Sequence, residues 1–469
     1  MTAGEAVVSG REAELAGRGV ELAAAARPGA EVAVSVDRHE QALTRFANSV
    51  IHQNVAEDVT TVRVRLHHDG RTTTGASTVV GDDDLRALVD RVVAAAAIAP
   101  LDPGWPGLAP PAPAAVVAPP DPATADAAPA ARADIVRAFV DGAGGLETAG
   151  FCRTDHWTGA FANSAGQAVS GEAAECGLSG IARGDGADGV ARHAPRHLAD
   201  LDGAALGARA AAKARAGRDP VELPPGRYEV VLEPTAVADV LESLAAAGFN
   251  GKAVDERQSF VRVGDDQFDP SITLVDDPLA VGLGYDGEGT PRRRLVLVDA
   301  GRTVALTEDR RYAARAGAAG ASTGHLVEGA FSFGPIARHL GLAVATSQAS
   351  TEVDGPPADA SVAALVAEVT RGVLVSDFWY TRMLDPRTLA KTGLTRNGVW
   401  LIEDGEVTTP LRNFRFTQSY AQALMPGNVL GVGAAATPVP GDTYSATAPR
   451  WTGAALHLAA WNFTGGASG

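Results

Sequence analysis

Arg227-Tyr228-Glu229-Val230-Val231-Leu232, and after it the run that ends Leu241-Glu242-Ser243-Leu244-Ala245-Ala246-Ala247, is the stretch from which the rest of the chain is read. Tyr228 to Leu232 is apolar and rich in β-branched side chains, which points to a buried strand. The segment from Val237 to Ala247 reads as a helix. A strand running into a helix whose second turn faces a cleft is a usual mount for chemistry, because helix hydrogen bonds hold the side chains within narrow limits.

Downstream of that pair the sequence is mainly strand-like. Ile272 to Val275, Leu295 to Val298, Val399 to Glu403 and Val407 are β-rich, and Asp286-Gly287, Asn397-Gly398 and Asp404-Gly405 read as turns between strands. One more helix is expected from Val362 to Thr370. Many strands with few helices suggest a large curved antiparallel sheet or barrel-like domain over residues 224–469, entered through Pro224-Pro225-Gly226.

Working toward the N-terminus, residues 131–223 read as a middle domain. It has a short helix at Ala131 to Val140, strands between Leu146 and Ile181 broken at Asn163-Ser164-Ala165-Gly166 and at Ser170-Gly171, and an Ala-rich helix at Ala204 to Ala216. Residues 99–130 hold ten of the 28 prolines and read as an extended linker. Residues 1–98 form a compact α+β unit. A helix at Ser9 to Ala26 leads to strands at Glu31 to Val36, Ala42 to Phe46 and Thr60 to Leu66; the Asp69-Gly70 hairpin, a return strand at Arg71 to Val79 and a helix at Asp82 to Ala97 follow. The fold class is α+β throughout.

Composition excludes several functions. With 46 % hydrophobic and 20 % charged residues in 469, the chain is a globular protein of more than one core. Its formal charge of −16 and lack of any Lys/Arg-rich run argue against nucleic-acid binding. No basic and apolar leader opens the sequence and no apolar run reaches membrane-spanning length, so a cytoplasmic protein that does not engage the membrane is expected. Cys152 and Cys176 lack the spacing of a metal site and read as buried free thiols.

Ser259-Phe260, Val275-Asp276-Asp277-Pro278, Asp286-Gly287-Glu288-Gly289-Thr290-Pro291, Ser322-Thr323-Gly324 and Ile402-Glu403-Asp404-Gly405-Glu406-Val407-Thr408-Thr409-Pro410 together resemble the TldD/PmbA (TldE) family of bacterial and archaeal peptidases. The resemblance implies a complex of two related subunits that degrades or processes small unfolded peptides. One subunit, TldD-like, carries His-Glu-x-x-x-His on a helix and a downstream Cys that bind zinc. Counted from Val231-Leu232 or from Ser259, the first His falls on Glu242, the Glu on Ser243 and the second His on Ala247, and no Cys follows Cys176. A carboxylate without partner ligands does not make a zinc site. The resemblance thus implies a PmbA/TldE-like chain with no catalytic residue, metal or cofactor of its own. Zinc would come from a TldD-like partner in a heterodimer, and an extended or unfolded peptide would be the substrate.

Other constellations have plainer readings. Pro195 breaks any helix that would align His193 with His197. His325 and His339, with Glu328 nearby, read as hydrogen-bonded structural histidines or as the lining of a peptide chamber. Asp276 and Asp277 point to opposite faces of a strand and cannot share a proton, so strand-end capping is expected of them. Asp286-Gly287-Glu288-Gly289 reads as a sharp turn. Asp377-Phe378-Trp379-Tyr380-Thr381-Arg382 concentrates aromatics for either a core or a partner surface. Two alternatives stay open: a self-contained hydrolase built on Glu242, His325 and Asp377, and a homodimeric peptide-binding or scaffolding protein without turnover. A neighbouring gene encoding the complete motif would weaken both.

Overall fold

The computed structural model describes residues 10–317, 322–327, 333–344, 358–441 and 450–466. The first sheet is built from β1 (Glu31–Ala47), β2 (Val50–His68), β3 (Arg71–Ser77), β4 (Glu147–Asn163), β5 (Ala168–Gly184) and β6 (Ala187–His193). Their order is β3-β2-β1-β4-β5-β6, antiparallel at each junction. Pairing of β1 with β4 runs from Ala33 opposite Asn163 to Phe46 opposite Gly150. Residues 1–98 and 131–223, expected as two domains, therefore contribute neighbouring strands to one sheet. A strand's local pattern specifies which face is buried but not which distant strand lies alongside it.

β1 and β2 are longer than their apolar segments. Strand geometry continues through Asp37 to Gln41 because polar side chains are paired across the sheet. Arg38 donates to both carboxylate oxygens of Asp58 at 2.9 and 2.7 Å, and Gln41 donates to Asp155 at 2.8 Å. Asn48 and Ser49, with φ of 50° and 60°, close the hairpin in the left-handed conformation that fits strand twist. β5 likewise passes unbroken through Ser170-Gly171, where a turn was expected. Gly171 pairs with Gly159, and the side chains of Leu283 and Tyr285 lie over both, so this glycine makes room for a docking loop.

Helices Arg11–Ala26 and Asp82–Ala96 bury Ala16, Ala23, Leu85, Leu88 and Val92 against Val32, Val34 and Val64. Helices Pro129–Gly142 and Gly203–Ala216 cover Cys152, Cys176 and Leu178. These last two helices approach so closely that a Cβ on Gly207 would stand 2.0 Å from the Phe139 carbonyl oxygen. Both cysteines are buried free thiols, and burial pushes Cys152 up to about 12. The Pro-rich segment has no regular element over residues 105–121, but, against the expectation of an extended linker to 130, it then forms a one-turn helix, Pro122–Ala125, and enters the helix Pro129–Gly142. It is also held down, since Trp105 Nε1 donates to Glu31 at 2.6 Å and Ala115 N donates to the Gly284 oxygen at 2.9 Å.

The second sheet comprises β7 (Gly226–Leu232), β8 (Leu274–Asp276), β9 (Leu295–Asp299), β10 (Arg302–Thr303), β11 (Leu340–Leu342), β12 (Arg371–Asp385), β13 (Ala390–Glu403), β14 (Glu406–Pro410), β15 (Phe414–Ser419), β16 (Val429–Pro440) and β17 (Arg450–Gly466). β7, β12, β13, β15 and β17 form a closed ring, since β17 pairs with both β15 and β7. The barrel-like domain expected from the sequence is thus present. Two junctions, β7 with β12 and β11 with β17, are parallel rather than antiparallel. Trp461, Phe378, Phe416 and Tyr420 pack in the core, with ring centroids 4.6 to 5.5 Å apart. Asp404-Gly405 is a tight turn with φ of 49° and 80°. Asn397-Gly398 is instead an irregularity inside β13, opposite the register shift between Val375 and Asp377.

Candidate functional site

The helix Pro234–Ser243 follows β7 directly, with Pro234 in the first turn, where its missing N–H costs nothing. Val237, Val240 and Leu241 are buried in the barrel-domain core. At Leu244 the helix does not stop. A π-helical turn, Leu244–Gly248, continues it, and Phe249 N–H reaches back to the Leu244 carbonyl at 2.9 Å. Glu242 and Ala247, five residues apart, would stand about 140° apart around an α-helix of 3.6 residues per turn. The wider turn narrows that separation. Glu242 is exposed, Ala247 is half-buried and Ser243, between their faces, is buried.

Around Ser243 the structure gathers groups that no sequence motif singles out. Lys391, from β13, donates to Ser243 Oγ at 2.8 Å and lies 3.3 and 3.4 Å from the two carboxylate oxygens of Asp239. Tyr420 O–H and Thr381 O–H each donate to Asp239 at 2.6 Å. Ser243 itself donates to the Asp239 carbonyl at 2.7 Å. Burial, then the Asp239 charge, pushes the Tyr420 phenol well above its ordinary range. Asp239 sits one helical turn before Ser243, a spacing visible in sequence, but nothing local ties Lys391 or Tyr420 to it. The rarity of lysine, three residues in the chain, was the only available signal.

These residues do not fit a zinc ion. Positions 242, 243 and 247 offer one carboxylate, one hydroxyl already bonded twice and one methyl group, and an ammonium stands beside the hydroxyl. Zinc needs about four N, S or O ligands at near 2 Å, and a fixed cation next to it is repulsive. Among the described residues no group of three or more His, Cys, Asp or Glu side chains comes together as a metal site.

The remaining candidate residues lie apart from this cluster. His325, 2 % exposed, is held between Thr323 Oγ1 at 2.8 Å and Asp276 Oδ2 at 2.9 Å. Burial pushes the Asp276 carboxyl up, but the hydrogen bond from His325 and the His339 backbone N–H outweigh it and leave it below the usual range. Asp277 caps the Leu279 N–H at 3.3 Å, so the two neighbouring acids do diverge. Asp377 takes both arms of the Arg192 guanidinium at 2.9 and 2.8 Å and a third bond from Asn397, joining β12 to β6. The hydrogen bonds of His325 and Asp377 thus lead to separate partners, and neither draws Glu242 into a shared site. Glu328 lies outside the described residues. His193 ends a strand before the Pro195 loop and faces no ligand set with His197 among the described residues.

The aromatic cluster divides. Phe378 is in the core, whereas Trp379 and Tyr380 are 48 % and 63 % exposed, with the Arg396 and Arg382 guanidinium groups over their rings at 4.5 and 4.3 Å. Met383 and Leu384 extend the exposed apolar surface along β12. Thr381, in the middle of this run, is the residue bonded to Asp239.

Residues 225–451 match the family model of the PmbA/TldA metallopeptidase C-terminal domain. No curated protein sequence matches the chain. The solved structure of TldE from Thermococcus kodakarensis superposes with a TM-score of 0.80 at 18 % identity, over 95 % of this chain and 99 % of that one. A putative modulator of DNA gyrase from Thermotoga maritima gives 0.78 at 16 % identity, over 96 % and 99 % of the two chains. One from Bacteroides thetaiotaomicron gives 0.75 at 16 % identity, over 98 % and 100 %. At these identities the likeness is one of fold.

Proposed function

We propose, for a chain that is PmbA/TldE-like in its fold and carries a PmbA/TldA metallopeptidase C-terminal domain over residues 225–451, that it is the non-catalytic subunit of a TldD/TldE-type peptidase complex. A TldD-like partner supplies the zinc and the hydrolytic chemistry. This chain closes the chamber and helps admit an extended or unfolded peptide, which pairs with it as an added strand.

The observation that carries this reading is the Leu244–Gly248 turn. A π-turn is a rare feature that is frequent at functional sites. Here it follows Glu242 and contains Ala247 while the groups that would use it are absent, and Lys391 supplies a fixed positive charge next to Ser243. The exposed Trp379, Tyr380, Met383 and Leu384 support the partner reading, because an exposed aromatic and apolar patch is what a subunit contact would cover.

The test is co-purification with a TldD-like protein, followed by metal analysis and peptide cleavage by each chain alone and by the pair. Zinc and cleavage are expected in the partner and the pair. Stoichiometric zinc, or chelator-resistant cleavage, in this chain alone would overturn the proposal.

A further inference from the structure

Away from the Asp239 cluster, a cavity of about 270 Å³ lies where the first sheet meets the loop 281–287 and the 338–339 segment of the barrel domain. Its wall includes Arg292, Arg338 and His339 from one side, and Ser35, Trp157 and Glu175 from the other. It is smaller than the roughly 300–1,000 Å³ typical of drug-sized ligands.

The polar groups of this wall are unevenly satisfied. Asp37 accepts from Arg63 at 3.0 Å, and Glu175 stands 3.4 Å from His339 Nε2. Asp286 accepts backbone N–H groups from Glu288, Thr290 and Leu326 at 2.9 to 3.0 Å. The carboxylates therefore have partners. Among the described residues, Arg338 Nε, His339 Nδ1 and Ser35 Oγ are buried without a partner, and His339 and Ser35 are only 7 % and 5 % exposed as residues. Arg292 uses its Nε on the Tyr285 carbonyl at 2.8 Å, which leaves the fork of its guanidinium. Burial, then the neighbouring Arg292 charge, outweigh the acids Glu175, Asp276 and Asp37 and depress Arg338 to about 10. Of the three unpartnered atoms, Arg338 Nε is a donor in every state, whereas His339 Nδ1 accepts when Nε2 carries the proton toward Glu175; a buried donor without a partner is costly.

The wall also has an apolar and aromatic part, beside polar residues such as Thr61 and Arg63. Trp157, stacked on His39 at 4.8 Å, and Leu283 give a flat surface beside the arginines. Paired guanidinium groups next to an apolar wall match a carboxylate that carries a hydrocarbon group.

We propose that this cavity binds a small carboxylate, with its oxygens against Arg338 and Arg292 and its apolar group against Trp157 and Leu283. The free C-terminus of a short peptide and a simple branched fatty acid share this chemistry. That the natural source is a peptide rests on the function proposed above; the carboxylate site does not.

The test is calorimetric titration of the isolated full-length chain with four probes: Ala-Leu, its C-terminal amide, isovalerate and inorganic phosphate. Ala-Leu is expected to bind near 1 mM or tighter, and the amide about tenfold or more weakly. Arg338→Gln should weaken Ala-Leu about tenfold while raising the melting temperature of the unliganded chain, which loss of structure alone would not do. Arg338→Lys should fall between, keeping charge without the fork. No carboxylate binding up to about 10 mM, equal binding of the amide, or full affinity in Arg338→Gln would overturn the site. Phosphate binding as well as Ala-Leu would overturn the carboxylate assignment. Isovalerate binding without Ala-Leu binding would support the site and refute the peptide as its source.

Discussion

Replacing Lys391 by Met keeps the length and the aliphatic stem and deletes one ammonium. Its magnitude follows from the geometry. The Lys391 and Asp239 side chains are 10 % and 17 % exposed, so solvent screens the pair weakly. Removing one partner of a buried pair costs about 3–5 kcal/mol, because the other charge is left without compensation. Here Asp239 keeps short hydrogen bonds from Tyr420 and Thr381, each a charge-assisted bond that offsets part of the loss. The expected cost is therefore about 2–3 kcal/mol, below the usual range. Adding Asp239→Asn removes the stranded charge while keeping an acceptor, so the double variant should be more stable than Lys391→Met alone by about 1 kcal/mol or more. Urea unfolding gives the midpoints and slopes. A cost under about 0.5 kcal/mol, or a cycle with no coupling, would refute the idea that Lys391 neutralises Asp239 in this site.

Glu288 tests the electrostatics of the Asp286 turn: burial, then the Asp286 charge, pushes its pKa up to about 8 from a usual 4.5. The folded state thus holds a proton that the unfolded state releases, so stability is greatest below the usual value and falls as pH rises toward 8. Glu288→Gln should abolish that slope, gaining on the wild type by up to about 1.4 kcal/mol per pH unit between pH 5 and 8; a melting-temperature difference that stays flat with pH would contradict it. The triple variant E242H/A247H/K391M should bind zinc more tightly by calorimetry than E242H/K391M or A247H/K391M if the π-turn brings positions 242 and 247 to one face, and an affinity no higher than theirs, with the fold kept, would show that the turn does not align them. Trp379→Ala with Tyr380→Ala should cost no more than about 1–2 kcal/mol of stability, since the two residues are 48 % and 63 % exposed, yet weaken association with a TldD-like partner about tenfold or more. Unchanged association would move the interface elsewhere.

Much of the local structure could be read from residue order. The strand at Tyr228, the helix after it, the hairpin at Asp404-Gly405 and the free buried cysteines all follow from short-range patterns, because periodicity and turn chemistry act over a few residues. Other features escaped for reasons that are physical. Ser170-Gly171 looks like a turn but lies inside a strand, because Gly171 is kept for the approach of Leu283 and Tyr285. Asn397-Gly398 looks like a hairpin and is an irregularity within β13. In both, the glycine's conformational freedom or small size serves a contact that no local window contains.

By itself the sequence determined the fold class, the likeness of its motifs to one peptidase family, and which side chains stand at positions 242, 243 and 247. Those are properties of spacing and identity, fixed along the chain. Only the tertiary structure decided that β1 and β4 join two sequence segments into one sheet and that the helix widens at Leu244. It also brought Lys391 and Tyr420, far along the chain, to Asp239, and set two arginines into one cavity. Each depends on contacts between residues distant in sequence, which burial and charge pairing select only once the sheets have closed.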